Sequence, residues 1–130
     1  MAEIEKALKE SEYWFKAAEH TIETAGSEEA YTVAVAQAIH SIIKANDALA
    51  LKYLGEIAKR HDQAVQFFHR LIVENKIPQN EAVYKDIIML AVQEKSKFDY
   101  SGTSSSKAKA KHWLADADKF LKLARKYCEK

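Results

Sequence analysis

The chain has 130 residues, of which 20 are Lys or Arg and 19 are Asp or Glu, with three Gly, one Pro and one Cys. That length fits a single domain, and residues 1–130 are read as one. So few glycines and prolines cannot punctuate a many-stranded sheet and leave no room for G-x-G-x-x-G or a P-loop, while the lone Cys128 excludes an internal disulfide framework and a multi-Cys zinc site.

One thiol and no disulfide framework point to a reducing compartment, so a cytoplasmic location is expected. The longest stretch without a charge, Ala30 to Ile43, is 14 residues, short of a bilayer span. The charged N-terminus does not read as a signal peptide, and no membrane association is expected.

Ile4, Leu8, Ser11, Phe15, Ala18, Ile22 and Ala25 alternate in steps of four and three, predicting a first helix from about Ala2 to Ala25. Gly26 is expected to close it in the left-handed conformation, and Ser27 to cap a second helix starting near Glu28. From Ala30 to Leu54 apolar residues cover most of the circumference, and Ala34, Ala38, Ser41 and Ala45 are small enough for close backbone approach. This reads as the central helix. One polar stripe survives on it, Gln37, His40, Lys44 and Asp47, which faces either water or a site.

Gly55 and the run Lys59-Arg60-His61-Asp62 mark a bend, after which Asp62 is expected to cap a short third helix carrying Val65, Phe68, Leu71 and Ile72 and ending before Pro78. Asn80 is the expected cap of a fourth helix with Val83, Ile87, Leu90 and Ala91 inward. Phe98 to Ser105 reads as a loop, and a fifth helix follows with Trp113, Ala117, Phe120, Ala124 and Tyr127 inside. The expected fold is all-α, an antiparallel up-and-down bundle of four long helices and one short helix.

Residues 1–30 hold 8 acids and 3 bases, whereas residues 105–130 hold 3 acids and 8 bases, so the first and last helices are expected to lie close or to complement one another between subunits. Lys107, Lys111, Lys122, Arg125 and Lys126 form a basic stripe on the last helix, expected to be a solvated face, with phosphate attraction as its alternative. No His lies three residues after a Glu and no His-x-x-x-His pair occurs, so neither a metal nor any other cofactor is expected. Cys128 is expected to be an inert thiol, and most aromatics to be core, with Tyr13 free to serve a subunit interface.

The run Ala38-Ile39-His40-Ser41-Ile42-Ile43-Lys44-Ala45, followed by Arg60-His61-Asp62, resembles prokaryotic HEPN domains (higher eukaryotes and prokaryotes nucleotide-binding). Lys95-Ser96-Lys97-Phe98-Asp99-Tyr100-Ser101-Gly102 and the Ala-rich helix after it look like the closing half of archaeal members. The resemblance implies a helical bundle, frequent homodimers, and association with a nucleotide, RNA or a minimal nucleotidyltransferase. Many members are metal-independent, toxin-like ribonucleases carrying Arg-x4-6-His, in which the Arg would hold the phosphate and the His move a proton. No Arg here has a His at that spacing, and Lys95 and Tyr100 stand where the pair would lie. The expectation is therefore a non-catalytic module, with His40, Lys44, Arg60, His61, Lys95, Lys97 and Tyr100 as candidate ligand-binding residues. A diverged ribonuclease and a purely structural dimer are the alternatives.

Overall fold

In a computed structural model of the protein, the backbone is described for residues 2–101 and 105–129, and the side chains of these except His61, Phe98, Asp99, Tyr100 and Ser101. Among the described residues there is no strand; five α-helices pack together: α1 (Ala2–Glu23), α2 (Glu28–Leu54), α3 (His61–Val73), α4 (Lys85–Ser101) and α5 (Lys107–Cys128). A 3-10 segment, Gln79–Tyr84, precedes α4.

Small residues let α2 lie at the centre. Ala34, Ala38, Ala45, Ala48, Ile39, Ile42 and Leu49 are all buried on it, and α1, α3, α4 and α5 each pack against it. Against α1 the approach is closest at two serines. Ser11 Oγ donates to the Ser41 carbonyl at 2.7 Å and Ser41 Oγ donates to the Ser11 carbonyl at 2.8 Å, so both hydroxyls are satisfied within the dry interface. Thr21 meets Gln37 at 2.7 Å and Lys44 meets Glu10 at 3.2 Å, so contacts descend α2 as they climb α1 and the two helices run in opposite directions. Against α5 the order is reversed. Thr32 meets Ser105 near one end and Tyr53 meets Tyr127 near the other, so α2 and α5 run the same way. Arg125 of α5 pairs with Glu12 of α1, which brings the basic and acidic ends of the chain together within one molecule.

Several expected helix ends move. α1 stops at Glu23, where the Ala25 amide turns to the Ile22 carbonyl at 3.4 Å and the Thr24 hydroxyl joins its amide on the His20 carbonyl at 2.9 Å, and Gly26 does not take a left-handed conformation. Ser27 does cap α2, accepting from the Ala30 amide at 3.4 Å, and Gly55 ends it at φ 76°. At the start of α3 the capping position is Arg60 rather than Asp62: Gln63 Oε1 accepts from the Lys59 and Arg60 amides at 2.8 and 3.2 Å, and Asp62 in the first turn instead pairs with Arg60 at 3.2 Å. Left-handed Asn75, φ 58°, closes α3; the Lys76 amide reaches back to Leu71 O and the Asn75 amide to Ile72 O.

Asn80 caps nothing, since it lies inside the 3-10 segment. That segment also rotates the inward face of α4. Ile88 and Ala91 are buried, whereas Val83 and Leu90, expected inside, are 67% and 47% exposed. Helix α4 continues to Ser101, so the backbone of residues 98–101 is helical where a loop was expected. Gly102, Thr103 and Ser104 lie outside the described residues.

Candidate functional site

Between Gly55 and α3 the chain turns back along α2, placing Ala58, Lys59 and Arg60 beside Ile43 and Asp47 rather than beyond the helix end. On the other wall stands α4. The stripe Tyr84, Ile88, Ala91 and Lys95 repeats in steps of four, three and four, so the face that buries Ile88 and Ala91 carries Lys95 to the same level. The result is a cleft of about 160 Å³ lined by Ile43, Asp47, Ala58, Lys59, Arg60, Ala64, Val92 and Lys95. Asn46 fastens one end by donating to the Ala64 carbonyl at 3.0 Å, tying α3 to α2.

The cleft is cationic at its rim and acidic at its wall. Lys59 and Arg60 are exposed and Lys95 is half-buried, whereas Asp47 is only 8% exposed. Burial pushes the Asp47 carboxyl up to about 6, against the lowering charge of Lys44 and with a further raising contribution from Glu10. Asp47 also lines a second cleft, of about 230 Å³, between α1 and α2, with Glu3, Lys6, Glu10, Lys44 and Ile57 among its walls. Two aliphatic walls and a rim of lysine and arginine suit a small anion with a planar or apolar body.

Of the candidate residues, the structure gathers Arg60 and Lys95 in one cleft and places others elsewhere. His40 is stacked under Trp14 of α1, with ring centroids 4.7 Å apart, and Lys44 pairs with Glu10. The polar stripe of α2 therefore meets α1: Gln37 accepts from Thr21, His40 stacks, and Lys44 is ion-paired. Lys97 lies 3.9 Å from Glu94, a carboxylate that Lys109 of α5 also holds. The side chains of His61 and Tyr100 lie outside the described residues.

Two charged residues of the cleft, Lys59 and Asp47, were not among the candidate ligand-binding residues. Lys59 adjoins Arg60 in the bend, and Asp47 is the one carboxylate between Ala30 and Leu54 and closes the polar stripe of α2, which was the available signal. The basic stripe of α5 is partly consumed internally: Lys122 pairs with Asp118, Lys126 with Glu81 and Arg125 with Glu12. No group of three or more metal-ligating side chains occurs among the described residues. No described helix is long and apolar enough to cross a membrane. Comparison with known proteins finds no matching family model and no matching curated protein.

Proposed function

We propose that this chain is a non-catalytic, HEPN-like module that holds the phosphate of a nucleotide or RNA in the cleft between α2 and α4, on an up-and-down antiparallel bundle of four long helices and one short one. The observation that carries the reading is the meeting of Arg60 and Lys95, 35 positions apart in sequence, in one cleft with Lys59. Lys59 and Lys95 around one small cleft raise the local concentration of anions and supply donors to phosphate oxygens, and Arg60, held by Asp62 at 3.2 Å, adds to them where an anion displaces or shares that pair.

The ribonuclease reading stands second because the family's Arg-x4-6-His pair is missing from the sequence. A protein partner such as a minimal nucleotidyltransferase, or a second copy of this chain, would find apolar surface at Tyr13, Val73 and Val83, which are 71%, 58% and 67% exposed.

Fluorescence anisotropy with labelled single-stranded RNA tests the reading. Lys95→Ala should weaken binding and flatten its salt dependence, because a lost phosphate contact releases fewer counterions. Equal affinity and equal salt slope in the two proteins would contradict it, and metal-free cleavage of the RNA would favour the ribonuclease.

A further inference from the structure

Helix α4 packs through one side and leaves the other bare. Ile88 and Ala91 are buried and Lys95 lines the cleft against α2, whereas Asp86, Met89, Leu90, Gln93 and Lys97 are all exposed. At about 100° per residue, Asp86, Leu90, Gln93 and Lys97 fall within about 60° of one another, with Met89 at their edge and Lys95 nearly opposite. The elements that pack on α4, namely α2, α3 and the 3-10 segment, leave this stripe uncovered.

The stripe carries its charges at its two ends. Asp86 stands in the first turn of α4 and has no ion-pair partner among the described residues. Lys97 lies 3.9 Å from Glu94, too far for a hydrogen bond, while Lys109 of α5 holds that carboxylate at 2.5 Å. The two charges are about 16 Å apart along the helix axis, with Met89 and Leu90 between them.

A second α4 laid antiparallel on this stripe, about a two-fold axis level with residues 91 and 92, brings each Asp86 to the other copy's Lys97. Each Leu90 then sits about 2 Å along the helix from the two-fold, so the two leucines meet at the centre. A parallel copy would oppose Asp86 to Asp86 and Lys97 to Lys97, so the charges select one orientation. We infer that the exposed face of α4 is a self-association surface that takes a second copy of this chain in antiparallel register, with two Asp86 to Lys97 pairs flanking a centre of Leu90 and Met89. Lys95 lies across the helix from this surface, so self-association neither depends on anion binding in the cleft nor blocks it. One helix face per copy is at the small end of protein interfaces, and a dissociation constant between about 1 and 100 µM is expected.

Sedimentation equilibrium between about 1 µM and 1 mM protein at low salt is the test, on wild type, Asp86→Lys, Lys97→Asp and the double variant Asp86→Lys/Lys97→Asp. Each single variant places two like-charged pairs in the dimer and should weaken association at least about tenfold. The double variant restores both pairs with their signs exchanged and should return to within about threefold of wild type. Asp86→Lys also takes an acid out of the first turn of α4, a change the double variant shares, so recovery there excludes that cause. Leu90→Asp, at an exposed position, should leave the protein monomeric with its helix content intact.

A wild type that stays monomeric throughout, single variants that associate as wild type does, or a double variant no stronger than the singles would each overturn the proposal. A dimer that survives Leu90→Asp would assign self-association to another face and overturn it too. Association that runs past the dimer would contradict the closed two-fold arrangement.

Discussion

Trp14 of α1 lies stacked on His40 of α2, ring centroids 4.7 Å apart and planes inclined by 25°. The most suggestive histidine of the polar stripe is therefore a packing partner between two helices. His40→Ala should lower stability by about 1 kcal/mol, the usual worth of an aromatic pair, and leave RNA affinity unchanged. A double-mutant cycle with Trp14→Ala, followed by urea denaturation, isolates the pair. A coupling energy near zero would show that the stacking contributes nothing.

Ser11 and Ser41 make a reciprocal bridge with both side chains fully buried. Replacing one of them leaves a gap and loosens the other, so Ser11→Ala or Ser41→Ala should each cost about 1 to 3 kcal/mol. The double variant should cost less than the sum only by the worth of the Oγ–Oγ contact at 3.1 Å, since each hydroxyl donates to the other residue's backbone carbonyl, which substitution leaves in place. Additive losses in denaturation midpoints would mean that the two hydroxyls act independently.

Much of this architecture is legible in the sequence, and the exceptions have physical causes. The spacing of Ile4, Ser11 and Ala18, and the small residues of α2, report burial because a regular helix repeats its faces. The face of α4 is misread because the 3-10 turns of Gln79–Tyr84 do not follow that repeat, so Val83 and Leu90 turn outward and Ile88 inward. Spacing places Gln37, His40 and Lys44 on one face but is silent on what covers it; the cover is α1, through Thr21, Trp14 and Glu10. Arg60 and Lys95 meet only because the chain folds back along α2 after Gly55, which no local pattern encodes.

Stability should fall as pH rises around 6. Burial raises the Asp47 pKa from 3.8 to about 6, so the folded state prefers the protonated carboxyl more than the unfolded chain does. The resulting stabilisation is fully present below about pH 4 and is lost as pH rises through about 6, a change of about 3 kcal/mol for two pKa units. Asp47→Asn should accordingly be more stable than wild type at pH 8 and lose that advantage at pH 4. Denaturation of both proteins across this range checks the sign, and an advantage that grows on acidification would refute it.

Cys128 is 8% exposed near the end of α5, and burial pushes its thiol up to about 11. At pH 7.5 roughly one thiol in three thousand is then ionised, and only the thiolate attacks an alkylating reagent. Iodoacetamide should label the folded protein at least about a hundredfold more slowly than the urea-unfolded chain. Comparable rates would show that the end of α5 opens readily in the native protein.

Two basic surfaces compete for any anion, the cleft with Arg60 and Lys95 and the exposed start of α5 with Lys107 and Lys111. Removing two charges from either changes net charge equally, so a comparison separates a site from general attraction. The measurement is the affinity of a labelled single-stranded RNA for wild type, for Arg60→Ala/Lys95→Ala and for Lys107→Ala/Lys111→Ala at one salt concentration. A loss of about tenfold or more in the first variant, with the second within about twofold of wild type, is the predicted result. Equal losses in the two variants, or a larger loss from the α5 pair, would contradict the assignment of binding to the cleft.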